Sequence, residues 1–511
     1  MIKLDELIAV IEEKIKSGKK TFTTDKEKVS ELQRITDREQ ELRIRATEGN
    51  EQARDTTRNK VFFILSEMGE ITHKNIDEII SQYHLNYYQN IYTGDKQDNI
   101  KKPIDTEIEG YLQKFSISTY DTFEKKLQKL AQIVYQELFG FSILDELIFE
   151  SELNEVATTR SDYIWIQYKG IKRKVPNSKF RFYSNEVYTK IIEDRIVSTA
   201  NLEMNKGNPI IYSTLENGSR VTALRSPLSR YYVVNIRIFS YKSLSKKDRN
   251  RFMHQKMMEV LKILSSKGRR NIAIIGEMGA GKTTAADELV IKNLDDDLAI
   301  GLAENIHELN ISGKYTDKNV IELQYADKYT PTDIMEIFFR LNRDIVIFGE
   351  VRSHMEAFEM INAMLRQARG SMCTVHSSSI PRLVHDLRKL LMQTGFYTDY
   401  REARFDIADA IDLVIQIKLD RDTGVRYVYK FAEIIANEED MSYIIRDLFI
   451  YDKASGKYLV NRNGISESTL NSCMEFEMTK EDREYLKGLF VLKPDEDCFF
   501  YAKEEPHGSN P

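Results

Sequence analysis

The second half of the chain alternates short apolar runs with amphipathic stretches. The apolar runs have the length and β-branching of buried strands, and the stretches between them place apolar residues at helical spacing. Strands are predicted over residues 271–275, 299–302, 320–324, 344–348 and 371–375. Helices are predicted from residue 282 and over residues 330–340, 355–369, 382–392 and 401–411, and closing antiparallel strands over 413–417, 425–435 and 441–451. This order predicts an α/β domain whose parallel central sheet is covered by helices on both faces.

The first half of the chain has a different pattern. Residues 1–60 are rich in charge and prone to form helix, and residues 26–58 predict either a solvated helix or a disordered arm. A helix is predicted over 61–92, a polar linker over 93–106 and a strongly amphipathic helix over 121–139. Alternating runs at 164–168, 210–213 and 232–238, interrupted by a helix at 185–200, then indicate an α+β domain that ends near Phe239.

These patterns divide the chain into five predicted segments. They are a helical, charged N-terminal extension (1–119), an α+β N-terminal domain (120–240), a linker (241–255), the strand–helix domain (256–455), and a C-terminal extension with a tail (456–511). The basic run at 242–251 is expected to be a solvated linker that leads into a helix. Residues 504–511 are expected to be a disordered tail.

Composition narrows the class of protein. The 511 residues are 41% hydrophobic and 30% charged with a net charge of −6, which is typical of a soluble globular protein without an overall nucleic-acid signature. No run of 18 or more apolar residues is present, and acidic residues interrupt the first apolar stretch, so neither a transmembrane helix nor a secretory signal is predicted. Cys373, Cys473 and Cys498 lack metal-binding spacing and favour a reducing compartment. A cytoplasmic location is expected.

The run from 276 to 283 matches the phosphate-binding loop G-x-x-x-x-G-K-[ST]. Its glycines let consecutive backbone N–H groups surround an anion, and a helix is predicted to open directly after them. Lys282 can reach the β- and γ-phosphates, and the Thr283 hydroxyl can ligate Mg²⁺. The predicted cofactors are therefore ATP and Mg²⁺. The predicted nucleotide-binding residues of the loop are Gly276, Gly279, Ala280, Gly281, Lys282, Thr283 and Thr284.

Three more polar residues follow predicted strands at the same edge of the sheet, where ligands of parallel sheets bind. Glu350 is expected to reach toward the metal from the strand next to the phosphate loop. Glu304, with Glu308 nearby, is expected to orient and deprotonate the attacking water. His376 follows the strand at 371–375. Each alone could be a helix cap or a structural side chain, but their coincidence at one edge favours a catalytic site of Lys282, Glu304 and Glu350.

Four segments resemble, in the same order, the boxes of the secretion ATPase superfamily. GEMGAGKTT (276–284) resembles its Walker A box, ENIHEL (304–309) its Asp box, GEVR (349–352) its Walker B box and GSMCTVH (370–376) its His box. Upstream, GFSILDE (140–146), NGSRV (217–221) and IRIF (236–239) resemble family segments. RDLFIY (446–451) is similar to a segment of the CpaF-like, tight-adherence branch.

The resemblance implies a RecA-like P-loop motor over 256–455 that assembles as a homo-hexamer. Such motors power type II and type IV secretion, conjugation or type IV and Tad pilus assembly, so inner-membrane platform proteins are the expected partners. The location implied is cytoplasmic and peripheral, at the inner face of the cell membrane. Arg220 and Arg237 of the N-terminal domain are implied to contact phosphate, and His376 to sense the nucleotide state.

The sequence departs from the family pattern at the Asp box and after the His box. Asn305 stands where the family usually has the Asp, although Glu304 keeps a carboxylate, and Ser377 and Ser378 replace a small residue and Asn. Two alternatives stay open. One is a RecA-like nucleic-acid translocase, but the segments VRSHME and HSSSIP lack the aromatic residues that nucleic-acid binding favours, so a nucleic-acid partner is not expected. The other, indicated by Asn305, is a non-hydrolysing nucleotide-dependent assembly protein.

Overall fold

The computed structural model describes residues 3–17, 26–69, 71–82, 102–115, 120–149, 153–175, 182, 184–197, 203–238, 245–326, 328–366, 369–492 and 498–501. The chain divides into two compact units, Met1–Tyr241 with Arg421–Gly424, and Lys242–Asp420 with Val425–Pro511. Most of the predicted linker at 93–106, Phe239, the start of the basic run at 242–244 and the predicted tail lie outside the described residues. The five predicted segment boundaries stay predictions.

The first unit joins helices to one antiparallel sheet. Its helices are α1 (Leu4–Ser17), α2 (Lys26–Thr47), α3 (Glu51–Ser66), α4 (His73–Gln82), α5 (Pro103–Gln113), α6 (Phe123–Leu138), α7 (Leu144–Phe149) and α8 (Asn185–Ile191), which a π-helical turn at Ile192–Ile196 continues. Its strands are β1 (Leu153–Arg160), β2 (Tyr163–Tyr168), β3 (Ile171–Lys174), β4 (Ile210–Thr214), β5 (Arg220–Leu224) and β6 (Val233–Arg237), in the order β3-β2-β1-β6-β5-β4. The predicted helical extension and α+β domain are confirmed.

Some sequence predictions for this unit need correction. The predicted helix at 61–92 is not one element, because α3 ends at Ser66 and α4 begins at His73. Of the two alternatives for 26–58, the helix is correct, although it breaks between α2 and α3. Gly49 adopts a φ of 99° at this break, and a Cβ there would lie 3.2 Å from the Phe149 ring. The alternation pattern misses β1, β3 and β5, because short polar strands depend on their cross-strand partners more than on their own hydrophobicity.

A buried ion pair ties the helical extension to the α+β domain within this unit. Arg54 on α3 donates to both carboxylate oxygens of Asp145 on α7, at 2.9 and 2.7 Å. The Asp145 side chain is fully buried, and the Arg54 guanidinium lies 3.3 Å from the centre of the Phe149 ring. Removing one partner of a buried pair typically costs about 3–5 kcal/mol, because the other charge stays buried. The extension therefore supplies a charge that the domain needs.

The second unit is built on a mixed sheet. Its helices are α9 (Lys246–Phe252), α10 (Gln255–Ser266), α11 (Lys282–Ala285), α12 (Ile311–Lys314), α13 (Pro331–Arg340), α14 (His354–Arg366), α15 (Ile380–Gln393), α16 (Tyr400–Ala410), α17 (Glu467–Cys473) and α18 (Lys480–Leu489). Its strands are β7 (Ile272–Gly276), β8 (Ile300–Glu304), β9 (Val320–Gln324), β10 (Ile345–Val351), β11 (Met372–Val375), β12 (Leu413–Leu419), β13 (Arg426–Asn437), β14 (Ser442–Asp452), β15 (Lys457–Asn461) and β16 (Cys498–Tyr501). Within the described ranges the order is β16-β15-β14-β13-β12-β7-β11-β10-β8-β9.

In this order, the neighbouring strands β12, β7, β11, β10, β8 and β9 pair in parallel. On the other side of β12, the strands β13, β14 and β15 extend the sheet by antiparallel pairing. Alternate residues of β7 enter different cores, since Ile272 and Ile274 pack into one hydrophobic cluster and Ala273 and Ile275 into the other. Both faces of the sheet are therefore covered, and the predicted RecA-like α/β fold with a parallel central sheet is confirmed. None of the described helices has the length and hydropathy needed to cross a membrane.

Residues after 455 continue the second unit. β15 pairs with β14, and α17 and α18 contribute Leu470, Cys473 and Leu486 to the core beneath the sheet. The side chain of Glu433 on β13 anchors α17, because it accepts hydrogen bonds from the backbone N–H and hydroxyl of Ser466, both at 2.9 Å. The chain that follows the last long strand is thus packed as part of this unit.

Candidate functional site

The phosphate loop joins β7 to α11 at the carboxyl end of the sheet. Gly279 and Gly281 adopt φ values of 75° and 96°, in the left-handed region that favours glycine. A Cβ at Gly276 would lie 2.8 Å from the carbonyl oxygen of Ile417 on β12, so the close approach of that strand also requires glycine there. The predicted order of strand, loop and helix is present, and the helix continues as a π-helical turn at Ala286–Val290.

Lys282 lies at the centre of a polar cluster beside this loop. Its Nζ is 3.4 Å from the Gly276 carbonyl oxygen, 3.0 Å from Nδ1 of His376 and 4.0 Å from Oε1 of Glu350. His376 Nε2 contacts the Glu350 carboxylate, which also pairs with Arg352. Because a lysine ammonium can only donate, Nδ1 accepts from Lys282 and Nε2 carries the proton shared with Glu350. Three of the residues predicted from the sequence therefore meet at one point.

The Glu350 carboxylate is held in its charged form. Burial by itself raises the pKa of Glu350, but the hydrogen bond from His376 and the positive charge of Arg352 outweigh burial and lower this pKa to about 2. Glu350 is therefore negatively charged throughout the physiological pH range. The negative charge of Glu350 lies beside the cations of Lys282 and Arg352 and the imidazole of His376, next to the phosphate loop.

The predicted position of Glu350 in the sheet is wrong in two respects. β11 lies between β7 and β10, so His376, rather than Glu350, follows the strand next to the phosphate-loop strand. Glu350 also lies inside β10, which continues to Val351 instead of ending at Phe348. Long crossovers decide which parallel strands become neighbours, and a single sequence does not contain that order. From the end of β11, the intervening strand, the His376 side chain contacts both Lys282 and Glu350.

Glu304 ends β8 and is buried. Its two carboxylate oxygens accept the backbone N–H groups of Glu308 and Leu309, at 3.1 and 3.2 Å. A Cβ at Gly349 would lie 2.7 Å from Glu304 Cγ, so this glycine makes room for the carboxyl group. In the described part of the chain, no hydrogen bond or ion pair of Glu304 reaches Lys282. Glu304 is connected to the Lys282 cluster through β10, because Gly349 of this strand packs on Glu304 and the next residue, Glu350, belongs to the cluster.

The ionisation of Glu304 differs from that of Glu350. Burial raises the pKa of Glu304 to about 7, although its two bonds from backbone N–H groups oppose this effect. A carboxyl group with a pKa near the working pH suits general-base catalysis. Asn305, at the unusual position of the Asp box, is exposed, and its carbonyl oxygen accepts from the Gln324 side chain at 2.8 Å. The buried carboxyl group at this strand end is therefore that of Glu304.

The other predicted residues occupy the following positions. Thr283 and Thr284 lie in the first turn of α11, directly after Lys282. Arg220 and Arg237 lie in the first unit, opposite each other on β5 and β6, so both side chains project from the same face of that sheet. Their contact with phosphate stays a prediction.

The residues of the loop fit a polyphosphate, because a lysine, a hydroxyl group and two left-handed glycines adjoin one another. For Mg²⁺ the oxygen donors at hand are Thr283 and Glu350. The described residues hold no group of three or more His, Cys, Asp or Glu side chains placed to bind a metal ion. Mg²⁺ in nucleotide sites commonly uses one or two protein oxygens together with phosphate oxygens and water, and this donor set is compatible with that pattern.

Sequence reasoning missed two arginines at the site. Arg352 is the ion-pair partner of Glu350, and Arg426 on β13 donates to the Gly279 carbonyl oxygen at 3.1 Å. Arg352 is the last residue of the Walker B segment at 349–352 and could have been considered from that position. Arg426 lies 144 residues after Lys282 in a run without any motif, so no local signal indicates it.

Comparison with known proteins agrees with this architecture. A family model described as "Type II/IV secretion system protein" matches residues 137–445. No curated protein gives a significant match to the sequence.

Solved structures that are similar to the chain include the following three. The VirB11 ATPase from the type IV secretion system of Brucella suis, in complex with sulphate, has 17% identity over 57% of this chain and 93% of its own (TM-score 0.32). The ATPase DotB of Legionella pneumophila has 15% identity over 66% of this chain and 82% of its own (TM-score 0.40). The pilus retraction motor PilT with bound ADP has 12% identity over 68% of this chain and 96% of its own (TM-score 0.39).

Proposed function

Because the chain belongs to the type II/IV secretion system protein family, we propose that it works as a hexameric ring motor. As a member of this family it is an ATPase of secretion or pilus machinery. The observation that carries the proposed ATP-driven activity is the convergence of Lys282, His376 and Glu350 beside the phosphate loop, and the ring is proposed from the resemblance to the family. Lys282 is the cation that would bind phosphate, Glu350 is a carboxylate that stays charged, and His376 contacts both of them.

Each residue of the site has a proposed role in ATP hydrolysis. The backbone N–H groups of the loop bind the phosphates, and Lys282 neutralises charge that develops on the transferred phosphoryl group. Thr283 and Glu350 would hold Mg²⁺, which when bound neutralises phosphate oxygens. Glu304 takes the proton of the attacking water. His376 contacts both Lys282 and Glu350, so a change at the loop is transmitted to the end of β11.

The finer identity of the machine is also part of the proposal. The segment RDLFIY at 446–451 favours the CpaF-like, tight-adherence branch, with pilus assembly or conjugation as the process driven. Inner-membrane platform proteins are the proposed partners, and the proposed location is the cytoplasmic face of that membrane. The opposed pair Arg220 and Arg237 concentrates positive charge on one sheet face, which supports a role in phosphate binding.

The effect of nucleotide on the assembly of the chain tests the proposed hexameric ring. We expect ATP with Mg²⁺ to stabilise the hexamer more than ADP does, since a ligand shifts an equilibrium by its differential affinity for the two states. Arg220→Ala and Arg237→Ala are expected to weaken this nucleotide effect, because they remove the proposed phosphate contacts. Light scattering of the wild type and both variants, in each nucleotide state, measures the effect.

Arg160→Ala is the matched control for assembly, because Arg160 belongs to the same sheet and pairs with Asp162 at 3.0 Å. It should keep the full nucleotide response. A wild-type chain that stays monomeric at micromolar concentration with saturating ATP would contradict the ring motor. Arginine variants with an unchanged response would contradict only the roles of Arg220 and Arg237.

The pH dependence of turnover tests Glu304. We expect the rate of ATP hydrolysis to increase as the pH rises through about 7, because a general base must be deprotonated and the pKa of Glu304 is raised to about 7. Glu304→Gln should lower turnover roughly 100-fold and abolish this increase, in line with the contribution of a positioned base. Steady-state phosphate release measured from roughly pH 6 to 8 provides the profile. Glu336→Gln on α13, an exposed carboxylate that lies 3.8 Å from Arg340, is the control, and an unchanged profile in Glu304→Gln would refute the base assignment.

A further inference from the structure

The hairpin of β12 and β13 packs against the outside of the phosphate loop. The Ile417 carbonyl oxygen of β12 adjoins Gly276, as described above. On β13, the Nε–H of Arg426 donates to the Gly279 carbonyl oxygen at 3.1 Å. A Cβ at Gly281 would lie 2.7 Å from Arg426 Cδ, so the arginine stem covers this glycine without space between them. The part of the loop from Gly279 to Gly281 therefore rests directly on Arg426.

The charge of Arg426 is not balanced by a carboxylate of the described residues. Burial lowers the pKa of its guanidinium, and no acidic side chain contributes to the shift. Neighbouring cations of the hairpin differ in this respect. Lys430 on the same strand pairs with Asp447 at 2.6 Å, and Lys418 lies 3.4 Å from the centre of the Tyr429 ring. Arg426 is thus a partly buried cation, and its hydrogen bond among the described residues is to a carbonyl group of the phosphate loop.

A buried cation is costly unless an anion or polar groups compensate for its lost hydration. One carbonyl oxygen compensates it only in part, because an arginine has five donor hydrogens. The loop that Arg426 contacts is the predicted binding site of an anion, the polyphosphate of the nucleotide. A polyphosphate in the loop would therefore gain from the charge of Arg426 while supplying the missing compensation.

We propose that Arg426 is a positioning residue for the nucleotide, which holds Gly279 and Gly281 in their left-handed conformations and places a positive charge behind the loop. The inference rests on nucleotide binding by the loop, which belongs to the proposed function. It adds a residue from a distant strand to the binding machinery. It also assigns the β12–β13 hairpin a role as the support of the loop.

A purely structural arginine would fill space with its stem, and its charge would be without effect on the ligand. The two roles differ in their dependence on salt, because the attraction between a charge and a polyphosphate is screened by ions whereas packing is not. They also differ in their response to lysine, which keeps the charge but lacks the Nε–H that binds Gly279.

The experiment compares Arg426→Gln and Arg426→Lys with the wild type, using equilibrium binding of a fluorescent ATP analogue at a series of salt concentrations. Arg426→Gln is expected to raise the Kd at least about tenfold, the scale of a lost charge-assisted contact, and to flatten its salt dependence. At saturating ATP its kcat should stay within about threefold of the wild type, because the residue acts on binding rather than on the chemical step. Arg426→Lys should bind more weakly than the wild type but keep the salt dependence.

Lys430→Gln is the matched control, since it removes a cation of the same strand that pairs with Asp447 instead of contacting the loop. Its Kd should be unchanged. Wild-type affinity in Arg426→Gln would overturn the inference, and so would an equal loss in both Arg426 variants with unaltered salt dependence. If circular dichroism shows that Arg426→Gln does not fold, Arg426→Lys decides, because wild-type affinity there would exclude the contact with Gly279.

Lys282→Ala separates this inference from the proposed function. If Lys282→Ala loses nucleotide binding while Arg426→Gln keeps it, the role of Arg426 is refuted and the nucleotide site stands. If Lys282→Ala keeps full binding and turnover, the proposed function itself fails.

Discussion

Replacing Lys282 with alanine is expected to reduce ATP turnover at least about 100-fold, the scale for removing one preorganised electrostatic group. Lys282 is nearly buried, and its Nζ lies among the Gly276 carbonyl oxygen, His376 and Glu350. No other lysine of the described residues forms part of this cluster, so nothing at the site replaces its charge. Steady-state phosphate release from the purified protein, with circular dichroism as a check of folding, measures the loss.

Lys292→Ala provides the matched control for this substitution. Lys292 follows the π-helical turn of the same helical segment and pairs with Glu288 at 3.3 Å, so the variant removes a nearby lysine without touching the loop. Its turnover should equal that of the wild type. A folded Lys282→Ala protein with wild-type turnover would contradict both the phosphate loop and the proposed mechanism.

Glu350→Gln is the second substitution with a large expected effect. We expect ATP binding to persist while hydrolysis falls roughly 100-fold, because the amide keeps the shape of the side chain and loses the charge that would hold metal or water. The amide oxygen can still accept from His376, which preserves the packing of the cluster. The ion pair with Arg352 is lost. Binding of a fluorescent ATP analogue, set beside phosphate release, separates the two effects.

The pH dependence of this variant distinguishes Glu350 from Glu304. The pKa of Glu350 is lowered to about 2, so the wild-type carboxylate stays charged throughout the assay range and gains a proton only at a pH far below it. The defect of Glu350→Gln should therefore be equal at every assay pH, and the increase near pH 7 assigned to Glu304 should remain. Glu336→Gln, an exposed carboxylate that lies 3.8 Å from Arg340, is the control. Joint loss of binding and hydrolysis would indicate that Glu350 only maintains the structure.

Much of the motor fold follows from local sequence. Each central strand is a short apolar run that carries its own burial signal, and the capping box at Thr330 and Asp333 marks the start of α13 within four residues. The phosphate loop is equally local, because its glycines, lysine and threonine are consecutive. In the first unit the signal is weaker, since strands such as β3 (IKRK) gain their stability from neighbouring strands.

The tertiary structure alone decided which distant residues meet at the site. β11 is placed between β7 and β10, and this order makes His376 the link between Lys282 and Glu350. Burial separates the pKa values of Glu304 and Glu350, although both are glutamates near strand ends. These pKa values depend on desolvation and on charged residues that are distant in the sequence but close in the fold.

By itself, then, the sequence determined the phosphate loop, the covered parallel sheet and the residue types at its carboxyl edge, because each of these depends on neighbouring residues. The order of the strands, the support of the loop by Arg426 and the pairing of Arg54 with Asp145 were decided by the fold. These contacts join residues that lie about a hundred positions apart or more, where neither spacing nor periodicity carries information. The physical reason is that the free energy of a buried charge depends on what the complete fold places around it.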